Sequence, residues 1–124
     1  MQIGDLARQT GLTVDTLRFY EKIGLIRPPA RDAAGRRDYD PEILTWVAFL
    51  VQLCATGMKQ ADRIRYARLR HLGPATVARR RQMLEQHRSA LAERLASLQR
   101  VLGLMDEKIA LYRRDEASAG NEGD

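Results

Sequence analysis

The sequence predicts a mainly α-helical protein in which a small domain with a helix-turn-helix is followed by one long helix. Two short helical patterns near the N-terminus are separated by a turn that contains glycine. Between Ala75 and Arg113 there is no proline, and apolar residues recur there at alternating spacings of four and three. The length of 124 residues suits one domain with an extension, which excludes larger folds such as a TIM barrel or a Rossmann dehydrogenase.

The first two helices have recognisable ends. Helical spacing of apolar residues begins at Ile3 and stops at the pair Thr10-Gly11, where the glycine favours a helix end. Thr13 can cap a second helix, which we expect to end near Ile23. Two short helices joined by a tight turn are typical of a helix-turn-helix.

Two further helices complete the predicted domain, which comprises residues 1–72. The pair Asp40-Pro41 predicts the start of the third helix, because aspartate is a good cap and proline is tolerated in the first turn. We expect this helix to end near Ala55 and a fourth helix to span residues 59–69.

The long helix, predicted over residues 75–113, carries an apolar stripe that one copy of the chain cannot bury. At the rise of an α-helix this span would extend about 58 Å. It therefore needs a partner helix, most simply the same helix of a second copy. The predicted seam consists of Leu84, Leu91, Leu95, Leu98, Leu102, Met105, Ile109 and Tyr112. Residues 114–124, rich in small, polar and acidic side chains, predict a disordered acidic tail.

Composition favours a polyanionic partner. The chain has a formal net charge of +5, and 18 of its 21 basic residues are arginine. The planar guanidinium of arginine is the side chain best matched to phosphates and to base edges.

Reactive side chains are rare, which disfavours several classes of function. Cys54 is the single cysteine, and His71 and His87 are the only histidines. We therefore expect no disulfide, no metal site, no cofactor and no enzymatic activity. The N-terminal region lacks the apolar stretch of a signal peptide, and the longest apolar run, residues 46–51, is too short to cross a membrane. Together these observations predict a cytoplasmic protein with no membrane partner.

The second helix carries side chains suited to nucleic acid. Thr13, Val14 and Thr16 are small enough to meet base edges in a major groove, while Arg18 and Tyr20 can donate hydrogen bonds to phosphate. The alternative is an ordinary amphipathic helix with a solvated arginine.

A two-stranded hairpin is predicted from short runs at residues 27–29 and 37–39, on either side of Gly35. Its basic and aromatic side chains are Arg31, Arg36, Arg37 and Tyr39. On a hairpin these side chains would form a basic wing that grips the DNA backbone beside the groove. The alternative is a charged surface loop.

Three motifs of the first domain recur as a set in one known family. They are the run TVDTLRFYEKIGLI from Thr13 to Ile26, the pattern Gly35-x-Arg37-x-Tyr39, and Thr56-Gly57-Met58. The set resembles the signature of the MerR family of bacterial transcription regulators. The resemblance implies a winged helix-turn-helix DNA-binding domain, a second wing formed by the helix pair at residues 41–69, and an antiparallel coiled-coil dimer formed by the long helix.

The mechanism that the resemblance implies is a deformation of DNA. A homodimer binds an inverted repeat in an overlong promoter spacer, and a signal makes it bend and untwist the DNA, which realigns the promoter for RNA polymerase. The positions implied to contact DNA are Thr13, Val14, Thr16, Arg18, Phe19, Tyr20, Arg31, Arg36, Arg37, Tyr39, Met58 and Lys59. Arg36 departs from the family, which often has tyrosine or an apolar residue there.

The signal to which the protein responds is not evident from the sequence. Metal-responsive members carry cysteines around the long helix, and this chain has none there. The layout is similar to the short branch that responds to aldehydes and other thiol-reactive electrophiles, but the position of that branch's cysteine is Gln52 here. Cys54 lies about 200° further around the helix and falls on its apolar pattern. It is a candidate sensor, with a role as a small buried hydrophobe as the alternative.

Two other classes of function remain open from the sequence alone. The protein could be an architectural protein that bends DNA without a signal, in which case it would show little preference for one operator. It could also be an interaction module that acts through its coiled coil, in which case replacing Arg18 by alanine would leave its function intact.

Overall fold

A computed structural model describes residues 1–122, which fall into two compact units, residues 1–84 and a second unit from Glu85 onward. The elements in chain order are α1 (Ile3–Thr10), α2 (Val14–Lys22), β1 (Ala30–Arg31), β2 (Arg37–Asp38), α3 (Ile43–Ala55), α4 (Gln60–His71) and α5 (Val77–Glu122), with a 3-10 turn at Pro74–Thr76. The prediction of a mainly α-helical chain with a long C-terminal helix is confirmed.

The helix-turn-helix is formed by α1 and α2. Gly11 ends α1 with a φ of +74°, in the left-handed region that glycine enters without steric cost. The hydroxyl oxygen of Thr13 accepts a hydrogen bond from the backbone N–H of Thr16 at 3.1 Å, which confirms the predicted cap of α2. Leu6 of α1 and Leu17 of α2 are fully buried and join the two helices in the core.

The wing is a short antiparallel hairpin in which Ala30 pairs with Asp38 and Arg31 with Arg37. The prediction of the first strand at residues 27–29 is wrong. Pro28 and Pro29 both lack a backbone N–H to donate to a partner strand. At the tip, one carboxylate oxygen of Asp32 accepts hydrogen bonds from the backbone N–H groups of Ala34 and Arg36, both at 2.9 Å.

The helix pair α3 and α4 provides half of the residues of the buried core cluster. Regular helix begins at Ile43, two residues beyond the predicted start, because Asp40 first forms a turn in which its carboxylate accepts the N–H of Glu42 at 2.9 Å. Trp46 stacks on Tyr66 of α4 with 5.9 Å between ring centroids, and its indole N–H donates to the carbonyl of Leu25 at 2.8 Å. This hydrogen bond connects α3 to the segment between α2 and the wing.

The core of the first unit draws on every helix from α1 to α4. Its buried residues are Leu6, Leu17, Leu25, Ile26, Tyr39, Trp46, Val47, Leu50, Tyr66 and Ala67. Met83 and Leu84, at the start of α5, also pack against this cluster. Leu84, the first residue of the predicted dimer seam, thus has an apolar contact within its own chain, and its place in the seam stays a prediction.

The second unit consists of the remainder of α5. The helix continues through residues 114–122, where the sequence predicts a disordered tail. No proline interrupts this segment and alanine recurs in it, which explains the continuation of the helix. Residues 123 and 124, the end of the predicted tail, lie outside the described residues. Within residues 1–122 no helix combines the length and the apolar character needed to cross a membrane.

Candidate DNA-binding surface

The exposed side of α2 carries most of the side chains predicted to contact bases. Thr13 and Arg18 are exposed, whereas Val14, Thr16 and Tyr20 are half-buried. The hydroxyl of Thr13 donates to the hydroxyl oxygen of Thr16 at 2.9 Å, so the two threonines share one polar patch at the N-terminus of the helix. The structure thus brings small polar side chains together at the N-terminal end of α2. This is the end with which a recognition helix contacts base edges.

Phe19 is the large aromatic side chain of this helix that stays at the surface. Phe19 is 48% exposed, and its neighbour Arg18 is exposed as well. The ring is therefore accessible to a partner, as its predicted contact with DNA requires.

The wing is fastened to α2 by the carboxylate of Glu21. One oxygen of Glu21, Oε2, accepts hydrogen bonds from a guanidinium nitrogen of Arg37 at 3.0 Å and from the hydroxyl of Tyr39 at 3.1 Å. The side chain of Glu21 is only 9% exposed, so the ion pair is partly shielded from solvent. Burial of Tyr39, together with its hydrogen bond to Glu21, raises the pKa of the phenol, which keeps it neutral and donating.

The remaining arginines of the wing face solvent. Arg31 lies opposite Arg37 in the hairpin register, so the two side chains share one face of the wing. Arg31 donates to the carbonyl of Gly35 at 2.7 Å, and Arg36 is 3.6 Å from a carboxylate oxygen of Asp32. Facing like charges are unfavourable in isolation, and a phosphate bound between them would relieve that repulsion.

Two of the predicted contact residues are buried. Tyr39 is 2% exposed, and its hydroxyl is occupied by Glu21 rather than presented to a phosphate. Met58 is 7% exposed and lies in the turn between α3 and α4, so its side chain is not presented to a partner either. Lys59, the neighbour of Met58 at the start of α4, is exposed and keeps its predicted position. We therefore correct the roles of Tyr39 and Met58 to positioning the wing and the turn.

Glu21 is the important residue whose role the sequence does not reveal. It lies within the recognisable motif, but nothing in linear spacing shows that an acidic residue of α2 faces a side chain 16 or 18 positions later. The available signal is that Glu21 is a charged residue on the side of α2 that otherwise faces the core. Such a position indicates a partner for the carboxylate, because buried carboxylates are rare without partners.

The candidate sensor Cys54 is exposed, near the end of α3. The alternative reading, a cysteine buried as a small hydrophobe, is therefore wrong for this conformation. Among the described residues no group of three or more histidine, cysteine or acidic side chains is placed to hold a metal ion.

The predicted seam residues of the second unit are exposed along α5. Leu95, Leu98, Leu102, Met105, Ile109 and Tyr112 are each about half exposed, and Leu91 is partly covered. Three further apolar side chains, which the two-position repeat misses, widen the stripe; they are Val101, Leu104 and Leu111. An apolar stripe of this extent is what a helix presents to a partner.

Known proteins similar in sequence are named as regulators. A family model described as MerR family regulatory protein matches residues 2–39. The HTH-type transcriptional regulator AdhR of Bacillus subtilis is 40% identical over 93 residues, which cover 75% of this chain and 66% of AdhR. An uncharacterised HTH-type transcriptional regulator of Haemophilus influenzae is 33% identical over 111 residues, which cover 90% of this chain and 82% of that protein.

Solved structures similar to this chain share its fold over nearly the whole length. A MerR family regulator from Listeria monocytogenes has a TM-score of 0.88 and 32% identity, covering 98% of this chain and 92% of its own. HiNmlR, described as a MerR family regulator lacking the sensor domain and bound to promoter DNA, has a TM-score of 0.80 and 32% identity, covering 94% and 92%.

Proposed function

This chain belongs to the MerR family of transcriptional regulators, and from that premise we propose that it binds an inverted repeat in promoter DNA as a homodimer. By distorting that DNA it would control the access of RNA polymerase to the promoter. We assign it no catalytic role, and we expect it in the bacterial cytoplasm, where promoter DNA is found.

The observation that carries the proposal is the connection that Glu21 makes between α2 and the wing. In this arrangement α2 enters the major groove with Thr13, Val14 and Thr16 toward base edges, and Arg18 reaches a phosphate. Because Glu21 holds Arg37 against α2, the wing follows the helix at a fixed angle and its arginines meet the adjacent backbone. Lys59 would add a contact from the second wing.

The exposed stripe of α5 supports a dimer. Apolar side chains such as Leu95, Leu102 and Ile109 are about half exposed in one copy, and each Å² removed from water on pairing contributes about 25 cal/mol. An inverted repeat presents two equivalent half-sites, so a two-fold dimer matches its symmetry. That HiNmlR is described as bound to promoter DNA supports the choice of partner.

Distortion of DNA is the part of the proposal that separates a regulator from a passive binder. The two DNA-binding units of a dimer are held at a fixed separation. Both can bind their half-sites only if the twist and bend of the intervening DNA change. The free energy of that deformation has to come from the backbone contacts of Arg18 and the wing arginines.

Selection from genomic DNA tests this proposal. Purified protein is incubated with sheared DNA of its source organism, and the retained fragments are sequenced. We expect one inverted repeat within promoter spacers to be enriched. Among DNA fragments that carry this repeat at different positions, we expect the protein-bound fragments to show the electrophoretic mobility of bent DNA. Recovery without sequence preference would favour an architectural protein, and unchanged recovery with Arg18→Ala would favour an interaction module.

The signal remains a separate proposal. The exposure of Cys54 supports its candidacy as a sensor of thiol-reactive compounds, because an electrophile can reach it. If Cys54 is that sensor, treatment with formaldehyde changes the bending of the selected DNA by wild-type protein and leaves Cys54→Ser unaffected.

A further inference from the structure

A pocket of about 380 Å³ lies in the first unit at the base of the wing. Three segments surround it: the link from α2 to the wing, the link from the wing to α3, and the end of α4. Its lining includes Arg27, Tyr39, Ile43, Trp46, Arg70 and His71. Cavities of this size hold small organic molecules.

The pocket adjoins the wing but does not overlap with the exposed side chains assigned above to DNA contact. It adjoins the start of α3, whereas the turn that carries Lys59 follows the end of that helix. The 13 residues of α3 set these two ends about 20 Å apart. None of the residues that we assign to DNA contact by an exposed side chain lines the pocket.

Two arginines and a histidine converge on this pocket. The guanidinium carbon of Arg70 lies 4.2 Å from the centre of the Trp46 ring, a cation–π contact between two residues that line the pocket. Among the described residues, no ion pair is found that involves Arg27, Arg70 or His71. A guanidinium in a cation–π contact can still donate hydrogen bonds to an anion, because it carries five N–H donors.

The cationic side chains that line the pocket lie close enough to affect one another's pKa. Burial lowers the pKa of His71, and the charges of Arg27 and Arg70 lower it further, with no carboxylate among the causes. Burial also lowers the pKa of Arg70, followed by the nearby charge of Arg80, against weaker opposing effects of Tyr66 and Glu42. Cations that destabilise one another in this way gain when an anion is bound between them.

We propose that this pocket is a binding site for a small organic monocarboxylate, with the carboxylate on Arg70 and Arg27 and an apolar body against Trp46 and Ile43. Asp40 and Glu42 also line the pocket, and their carboxylates favour this class because they would repel a second negative charge or a polyanion. The mixture of apolar and cationic lining also suits a ligand with one apolar and one charged end.

Occupancy of this pocket would reach the DNA-binding surface through the wing. The pocket is bounded on one side by Tyr39, whose hydroxyl donates to Glu21 on α2. A ligand that packs against Tyr39 and α3 at the same time favours one placement of the wing over others. The site is therefore suited to a small-molecule effector, which goes beyond the function proposed above.

The test uses the natural fluorescence of Trp46, which is the only tryptophan of the chain. Benzoate is titrated into the full-length protein, with benzamide as the neutral analogue of the same shape. We expect a saturable change in emission with benzoate, none with benzamide, and an affinity about tenfold weaker in Arg70→Gln, because a charge-assisted hydrogen bond is lost. Arg68→Gln, an exposed arginine of the same helix, is the matched control and keeps the wild-type affinity.

Because Arg70 touches the fluorophore, calorimetric titration of Arg27→Gln provides a second measurement, with several-fold weaker benzoate binding expected. Equal responses to benzoate and benzamide, the absence of saturation, or an equal loss in Arg68→Gln would each overturn the carboxylate site. We expect bound benzoate to change the bending of the DNA. Displacement of benzoate by a short DNA duplex would instead overturn the proposal, because the same cations would then bind the DNA backbone. The benzoate and benzamide titrations contain no DNA, so their results do not bear on whether the protein binds DNA.

Discussion

Glu21 shows how one side chain can set the geometry of a binding surface that it does not itself contact. Its oxygen Oε2 accepts from both Arg37 and Tyr39, so α2, the wing and the core meet at one atom. A resemblance between sequences predicts positions that touch DNA, but it does not distinguish a tyrosine at the surface from one in the core. Tyr39 is therefore predicted as a phosphate contact and is found buried.

Replacing Glu21 by glutamine isolates this connection. The amide keeps an acceptor for Tyr39 but loses the charge that holds Arg37, whose side chain is 38% exposed. After allowance for solvent screening, we expect a loss of about 1 kcal/mol in unfolding free energy and weaker DNA binding. Urea unfolding and fluorescence anisotropy with the selected DNA measure the two effects. If Glu21→Gln loses stability but binds DNA as wild type does, the wing does not depend on this ion pair for its orientation.

His71 predicts a dependence of stability on pH. Burial, and then the charges of Arg27 and Arg70, lower its pKa in the folded protein below the ordinary value of 6.5. The unfolded chain then takes up the proton more readily, so stability that is fully present above pH 6.5 declines as the pH falls below it. Comparing urea unfolding at pH 7.5 and pH 5, we expect His71→Gln to lose less stability than wild type. Arg27→Gln should lie between them, and identical losses in all three proteins would contradict the assignment.

At the scale of elements, predictions succeed where local chemistry decides the structure. The cap at Thr13 and the helix end at Gly11 depend on neighbouring residues alone, and both are found as expected. The predicted position of the first strand is wrong because Pro28 and Pro29 lack the N–H donors that pairing with a second strand needs. Both prolines are visible in the sequence, so this error could have been avoided. The heptad pattern does not predict that further apolar residues widen the α5 stripe. It includes only two positions of each seven-residue repeat, and the additional residues lie outside them.

The wing as an element predicts how binding responds to salt. Arg37→Ala removes one proposed phosphate contact, so we expect weaker binding to every DNA sequence and a salt slope smaller by about one. The selected operator and a scrambled duplex are compared by anisotropy across salt concentrations. Arg100→Ala, in the second unit and assigned no DNA contact, should keep the wild-type slope. A slope that stays at the wild-type value in Arg37→Ala would leave that arginine with a structural role only.

At the scale of the whole molecule, the two units have different requirements. The first unit has its own core and needs no partner to bury it. The second unit is a helix whose apolar side chains have nothing to cover them within their own unit. Such a helix is stabilised by pairing, because helical stability in water comes mostly from burial of one face. The sequence predicts this stripe correctly, but it cannot tell that Leu84 packs on the first unit, since that contact depends on tertiary structure.

The dimer can be tested at the centre of the proposed seam. Leu95 is 56% exposed in one copy, and pairing would bury it against the second copy. Leu95→Asp would place a carboxylate without a partner in that apolar contact, at a cost of several kcal/mol per dimer, while the first unit stays folded. We expect light scattering to show the mass of a monomer, with the helical signal in circular dichroism reduced as the unpaired helix frays. Ser89→Asp adds the same charge outside the seam and should remain dimeric, so a dimer in both variants would mean that the copies associate through a different surface.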